Sequence, residues 1–80
     1  MEVGLILKAK VKSNLGEILE NKGLRLKWVA EQIGATQAQL TNWCKNEDGF
    51  AKSTPSVLYI LRLQKLLNVK IEEMYEENEK

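Results

Sequence analysis

The sequence predicts a mainly α-helical domain of five short helices, with one β-strand added at the N-terminus. Two patterns predict this fold class: apolar residues recur at helical spacing over residues 13–76, and apolar and polar residues alternate over residues 2–12. A chain of 80 residues has room for one domain and one modest hydrophobic core. We therefore expect an N-terminal strand at residues 1–12, a helical domain at 13–76 and a frayed acidic tail at 77–80.

The strand is predicted by an alternation in which Val3, Leu5 and Leu7 share one side and Lys8 and Lys10 the other. A single strand cannot satisfy its own backbone hydrogen bonds, and the sequence predicts no second strand of comparable quality. We expect the strand to pair with the same strand of a second copy, forming a homodimer with Val3, Leu5 and Leu7 at its interface. The alternative is a strand that lies against its own helical body or is partly disordered.

The first three helices are separated by glycines, which allow the left-handed backbone that ends a helix. The first helix ends at Gly23, and the second, over residues 26–33, ends at Gly34. Thr36 is a favoured N-cap residue and begins a third helix that continues to about Lys45.

A polar loop with an Asp48–Gly49 turn signal separates the third helix from the fourth. Thr54 is expected to cap the fourth helix, with Pro55 at its first position, where proline is favoured, and Asn68 is expected to end it. A short fifth helix is expected to contain Ile71, Met74 and Tyr75.

The composition argues against an enzyme and against a metal site. The chain has no His and one Cys, so the usual transition-metal ligands and most nucleophile–base pairs are missing, and we expect no cofactor. Cys44 cannot form an internal disulfide, which fits a reducing compartment. No apolar run near the N-terminus is long enough for a signal peptide or a membrane span, so we expect a cytoplasmic protein without membrane contact.

The segment 26–45 carries the functional prediction, because it places two short helices on either side of a tight turn at Gly34. Ala30 lies four residues before this glycine, where only a small side chain lets the helices cross closely. Leu40 and Trp43 anchor the later helix on the core, so its opposite face must point outward. That face is polar, rich in amides and almost free of acidic charge; its residues are Gln37, Ala38, Gln39, Thr41, Asn42 and Lys45.

With these features the chain resembles the lambda-repressor-like family of helix-turn-helix proteins, also called Cro/cI-type or XRE. The resemblance runs from about Leu15 to Tyr75. Its marks are the Gly23-Leu24 pair, the Ala30…Gly34…Leu40…Trp43 spacing, the Thr54-Pro55-Ser56 start and the segment 68–74. The resemblance implies a prokaryotic or phage protein whose third helix enters the major groove of DNA while the second crosses the backbone.

Within that resemblance, side-chain chemistry assigns candidate roles. Gln and Asn can contact adenine N6 and N7 bidentately, and an Ala methyl group can contact the thymine methyl group. The expected base-reading residues are Gln37, Ala38, Gln39 and Asn42. Basic and hydroxyl side chains suit phosphate oxygens, and the expected phosphate contacts are Arg25, Lys27, Thr36, Thr41, Lys45, Lys52 and Ser53. The alternative is that these residues simply form a solvated helix face.

Two departures from the family pattern carry further expectations. Leu26 stands where the family often has a phosphate-binding Gln, and Arg25 or Lys27 is the expected substitute. Leu19 and Cys44 stand where the family often pairs an Arg with a Glu. Replacing both members of a buried ion pair avoids stranding one charge, so the double replacement predicts that Leu19 and Cys44 lie close together.

The predicted function is sequence-specific binding of double-stranded DNA by a homodimeric transcriptional regulator, a repressor rather than an activator, with no small-molecule ligand. The runner-up is a protein-interaction module, such as an antirepressor or an antitoxin-like adaptor, that keeps the fold without binding DNA. A formal net charge of only +1, together with Leu26 and Trp28, favours this alternative, because phosphate affinity comes from basic residues.

Overall fold

A computed structural model of the chain describes residues 10–78. Over this range the chain is mainly helical, with four short strands arranged as two small sheets. In chain order the elements are β1 (Lys10–Ser13), α1 (Leu15–Lys22), α2 (Leu26–Ile33), α3 (Gln37–Cys44), β2 (Asn46–Glu47), β3 (Phe50–Ala51), α4 (Val57–Leu67), α5 (Ile71–Met74) and β4 (Tyr75–Asn78).

The first three helices agree with the prediction. α1 ends at Gly23 and α2 at Gly34, with left-handed φ angles of 69° and 78° at the two glycines. The amide of Ala35 donates to the carbonyl oxygen of Ala30 over 2.9 Å, which closes the end of α2. The backbone therefore turns sharply between α2 and α3, at the glycine that the sequence indicated.

α4 begins later than predicted. Its N-cap is Ser56 rather than Thr54, and Pro55 lies ahead of Val57, the first helical residue. Pro55 is buried, and Ser56 has an extended backbone with φ −68° and ψ 167°. Since the buried ring is followed by an extended residue, it lies outside the helix rather than in its first turn. The helix ends as expected at Asn68, which is left-handed.

A partner strand for β1 comes from the same chain, which the sequence did not predict. β1 and β4 pair antiparallel, with Lys12 opposite Glu76. β4 contains Tyr75, expected in the fifth helix, and Glu77 and Asn78, expected in a frayed tail. The burial of the Tyr75 ring and the opposite charges across the strands favour this pairing over a solvated end.

The predicted homodimer interface is affected only in part by this pairing. Over residues 10–13 the strand has its partner within the chain, contrary to our expectation of pairing with a second copy. Val3, Leu5 and Leu7 lie outside the described residues, and their role at an interface stays a prediction.

The predicted polar loop between α3 and α4 contains a small hairpin. β2 and β3 pair antiparallel around Asp48 and Gly49, which have positive φ angles of 55° and 85°. Two-residue hairpin turns favour Asp-Gly because both residues tolerate positive φ. The turn signal in the sequence thus marks the hairpin tip.

Each of the five helices contributes a fully buried side chain to one hydrophobic core. These residues are Leu15, Val29, Leu40, Leu63 and Met74. Within residues 10–78, no helix is both long enough and apolar enough to cross a membrane.

Leu19 and Cys44, which the sequence places close together, line the same cleft beside α1 and α3. The cleft has a volume of about 300 Å³. Gly16 lines it as well, and a Cβ atom at Gly16 would lie 3.5 Å from Cβ of Cys44. α1 and α3 are therefore neighbours here through short and apolar groups rather than through an ion pair.

Candidate nucleic-acid interface

α3 buries one face and exposes the other. Leu40 and Trp43 are buried in the core. At 3.6 residues per turn, Ala38 and Lys45 lie on the opposite side of the helix, with Thr41 and Asn42 beside them. Gln37, Ala38, Gln39 and Lys45 are exposed, and Thr41 and Asn42 are half-buried.

Gln39 has a structural role at the start of α3. Its Oε1 accepts the backbone N–H of Thr36 over 2.9 Å, and its own N–H donates to Oγ1 of Thr36 over 3.0 Å. This reciprocal capping box stabilises the N-terminus of the helix. Bidentate recognition of adenine uses the amide oxygen as an acceptor, so Gln39 reads a base in that mode only if the box opens.

The other two amides on α3 are free of such a role. Among residues 10–78, the side chains of Gln37 and Asn42 have no hydrogen-bond partner. Their oxygen and nitrogen atoms are available together, as bidentate contact with a base requires.

Side chains from α4 hold the turn between α2 and α3. Nη1 of Arg62 donates to the carbonyl oxygen of Ile33 over 2.7 Å, and Oη of Tyr59 donates to that of Gly34 over 3.4 Å. The last carbonyl groups of a helix have no intrahelical partner and carry partial negative charge, so a guanidinium group is a favourable partner there.

These two side chains also connect the turn to Trp43. The guanidinium carbon of Arg62 lies 5.8 Å from the ring centre of Tyr59, and the Tyr59 and Trp43 rings have centroids 5.2 Å apart. A cation over an aromatic face and a tilted ring pair are both favourable arrangements. α4 therefore contacts both the turn that precedes α3 and Trp43, a buried residue of α3.

The sheet formed by β1 and β4, called the terminal sheet below, holds the C-terminal end of α3. Oγ of Ser13 and Oη of Tyr75 both donate to the carbonyl oxygen of Trp43, over 2.7 and 3.0 Å. The side-chain amide of Asn46 bonds the backbone of Ser13 twice, accepting its N–H over 2.8 Å and donating to its carbonyl oxygen over 2.9 Å. Both hydroxyl groups reach a carbonyl in the last turn, where the helix itself supplies no donor.

The expected phosphate contacts occupy two places. Arg25 is the N-cap of α2 and Lys27 lies in its first turn, and both are exposed. The first N–H groups of a helix have no intrahelical partner and attract anions. Lys45 is the C-cap of α3, and the amide of Lys52 donates to its carbonyl oxygen over 3.0 Å. The structure thus brings the backbones of Lys45 and Lys52 together.

The remaining phosphate candidates differ in availability. Nζ of Lys52 lies 3.9 Å from Oε2 of Glu47 in an exposed ion pair, which is weak and leaves the ammonium open to a competing anion. Ser53 follows it and is exposed. The hydroxyl group of Thr36 is engaged in the capping box.

Burial controls protonation beside the C-terminal end of α3. It raises the pKa of the Cys44 thiol to about 11 and that of the Tyr75 hydroxyl to about 12. For Tyr75, the neighbouring Ser13 hydroxyl group lowers the pKa and nearby Cys44 raises it, but burial is the largest influence. Tyr75 therefore keeps at neutral pH the proton that it donates to Trp43. Within residues 10–78, no cluster of three or more His, Cys, Asp or Glu side chains could hold a metal ion.

Sequence reasoning missed four residues that position α3: Ser13, Tyr59, Arg62 and Tyr75. Their hydrogen bonds to backbone carbonyl groups join residues 25 to 32 positions apart in the chain, which local patterns do not reveal. The one available signal was the general need of helix C-termini for donors.

Comparisons with known proteins give one informative similarity. No family model matches the chain, and no curated protein matches it. Among solved structures, the chain is similar to a crystal structure from Bacteroides fragilis that is described as a "putative DNA-binding protein". The two sequences are 26% identical, the TM-score is 0.69, and the similarity covers 82% of this chain and 98% of that one.

Proposed function

We propose that this protein binds double-stranded DNA sequence-specifically through α3 and acts as a small transcriptional repressor rather than as an enzyme. The observation that carries the proposal is the exposed polar face of α3, which has no acidic residue and sits on a helix that is held at its C-terminal end and preceded by a turn bonded to α4. The similarity to a protein described as DNA-binding supports it. We propose the lambda-repressor-like arrangement, with α3 in the major groove and α2 across the backbone.

The proposed base readers are not equivalent. Gln37 and Asn42 are the main candidates, because both have complete amides to offer, and Ala38 offers a methyl group for thymine. Gln39 contributes first as a cap. The proposed phosphate contacts are Arg25, Lys27, Thr36, Thr41, Lys45, Lys52 and Ser53.

The direct test is selection of bound sequences from random duplexes with purified protein, followed by titrations over a salt series. Enriched sites that shift at one position in Asn42→Ala support base reading by that residue. Arg25→Ala is expected to weaken all sequences alike and to reduce the salt slope by about one. Gln64→Ala is the matched control, since it removes an amide from α4 instead of α3.

We further propose that the protein binds as a homodimer to a two-fold symmetric operator, with half-sites roughly 34–36 Å apart. Val3, Leu5 and Leu7 remain the proposed interface. Sedimentation at operator-binding concentrations tests this: Leu5→Lys should give monomers, and Lys8→Gln, on the polar side, should not. A monomeric unmodified protein on a non-palindromic site would contradict the dimer.

The second candidate function is a protein-interaction module. It is favoured by the exposed apolar side chains on α4, where Val57 is 71%, Leu58 52% and Leu61 53% exposed. Leu61 lies four residues after Val57 and three after Leu58, so it neighbours both on the helix surface and the three residues form a single patch. Binding of no duplex at any salt concentration would favour this candidate, whereas phosphate-dependent binding weakens steeply as salt rises.

A further inference from the structure

The C-terminal end of α3 is fixed by two strands that are distant from each other in the sequence. Ser13 lies in β1 and Tyr75 in β4, and the register of the sheet places these two residues opposite each other. Their hydroxyl groups converge on a single acceptor, the carbonyl oxygen of Trp43. The acceptor belongs to the helix whose outer face we propose to read DNA.

A second pair of hydrogen bonds joins the same two parts of the molecule. The side-chain amide of Asn46, which follows α3, bonds both the N–H and the carbonyl oxygen of Ser13. Trp43, before the C-cap Lys45, and Asn46, after it, are thus both hydrogen-bonded to Ser13 of β1. Four hydrogen bonds between the sheet and this end of α3 leave little freedom for the helix to tilt.

Packing alone does not account for these polar groups. Ser13 is 4% and Tyr75 8% exposed, and apolar side chains of similar shape fill such places without a desolvation cost. Leu40 and Trp43 already determine which face of α3 points inward. Directional hydrogen bonds add a constraint on tilt and on position along the axis, which side-chain burial leaves looser.

We propose that the terminal sheet β1–β4 positions α3 for base reading, and that Ser13 and Tyr75 are positioning residues for DNA recognition. The inference rests on the proposed function. Base contacts require side chains placed to within about 0.5 Å, whereas phosphate contacts by flexible lysines tolerate larger shifts. A loosened sheet contact should therefore lower specific binding more than non-specific binding.

The experiment compares Tyr75→Phe and Ser13→Ala with the unmodified protein. Tyr75→Phe removes one donor, whereas Ser13→Ala removes one donor together with the oxygen that accepts the Leu15 N–H over 3.3 Å, so Tyr75→Phe is the cleaner variant. Both keep most of the buried volume. Affinity is measured for the duplex obtained by selection and for a scrambled duplex of equal length, at a temperature where every variant is folded. We expect each variant to lose roughly tenfold for the selected duplex and less than about twofold for the scrambled one.

A control separates positioning from general stability. Ile60→Val removes one methyl group from partly buried α4 packing and no hydrogen bond to α3, so it should lower stability without changing the ratio of the two affinities. Equal losses for both duplexes in Tyr75→Phe and Ser13→Ala would overturn the positioning role.

Amide hydrogen exchange gives a readout that does not depend on DNA. In both variants the amides that end α3 and begin β2 should exchange faster, while those in the middle of α1 keep their rates. Unchanged exchange at that end overturns the inference even if DNA binds. Faster exchange in variants of a protein that binds no duplex would show that the sheet holds this end of α3. It would nevertheless overturn the proposed function, and with it the role of the sheet in base reading.

Discussion

Arg62 donates a hydrogen bond from Nη1 to the backbone carbonyl oxygen of Ile33 over 2.7 Å, across the turn that precedes α3. The contact satisfies an end carbonyl of α2, and the same guanidinium group lies over the ring of Tyr59. A basic residue in the middle of a mostly apolar helix thus joins the turn to α4.

Arg62→Ala should lower the free energy of unfolding by about 1–2 kcal/mol, because the Ile33 carbonyl loses a charged donor. Arg62→Lys should recover part of the loss, since an ammonium group keeps the charge without the planar fork. Urea denaturation measures both. Lys65→Ala on the same helix should change stability by less than about 0.5 kcal/mol, and a similar loss there would show that the turn contact is not the cause.

The same substitution should have opposite effects at two glycines. Gly34→Ala should destabilise the protein by about 1–2 kcal/mol, because φ is 78° and the new Cβ would lie 3.1 Å from Nη1 of Arg62. Gly16→Ala should stabilise it by about 0.5 kcal/mol, since Gly16 lies in α1 and its Cβ meets Cys44 at ordinary contact distance. Thermal melts of the two variants beside the unmodified protein measure both effects. A lower melting temperature for Gly16→Ala as well as for Gly34→Ala would contradict the prediction for α1.

Capping and base reading by Gln39 can be separated by two variants. Gln39→Glu keeps an acceptor for the Thr36 N–H and should retain stability, whereas Gln39→Ala should cost about 1 kcal/mol through loss of the box. If Gln39 acts only as a cap, the preferred DNA sequence in selection experiments stays the same in Gln39→Ala. A changed base preference would instead identify it as a reader.

Stability should fall in alkaline solution as the half-buried Cys44 and the buried Tyr75 lose their protons. The folded state raises the pKa of Cys44 from 9.0 to about 11 and that of Tyr75 from 10.0 to about 12. A raised folded pKa stabilises the protein below the unfolded pKa, and this contribution is lost as pH rises through the folded value. For Cys44, which is half-buried and partly screened by solvent, the loss between pH 8 and 11 should stay below about 2 kcal/mol.

Denaturation of Cys44→Ala over the same pH range, with reductant present, is the matching measurement. The variant lacks the thiol, so its stability should fall less steeply between pH 8 and 11 than that of the unmodified protein. Parallel curves would mean that deprotonation of Cys44 is not linked to unfolding.

Local features of the sequence were enough to predict five helices and several of their ends, but not the start of α4 or the end of α5. Gly23 and Gly34 end α1 and α2, Thr36 caps α3, and Asn68 ends α4. These signals act through neighbouring backbone groups, so they can be recognised without knowing the tertiary structure. The burial of Leu40 and Trp43, and with it the exposed face of α3, follows from helical spacing alone.

The tertiary structure alone decided the rest. The acidic segment after Met74 forms a strand because a basic strand pairs with it. Gln39, which the sequence suggested as a free amide on the DNA-binding face, instead caps the start of α3. The carbonyl groups of Ile33 and Trp43 obtained donors from Arg62, Ser13 and Tyr75, far away in the chain. Helix and turn signals are short-range, whereas the donors that complete helix ends depend on which distant segments pack there. The orientation of α3 therefore depends on contacts that no local pattern specifies.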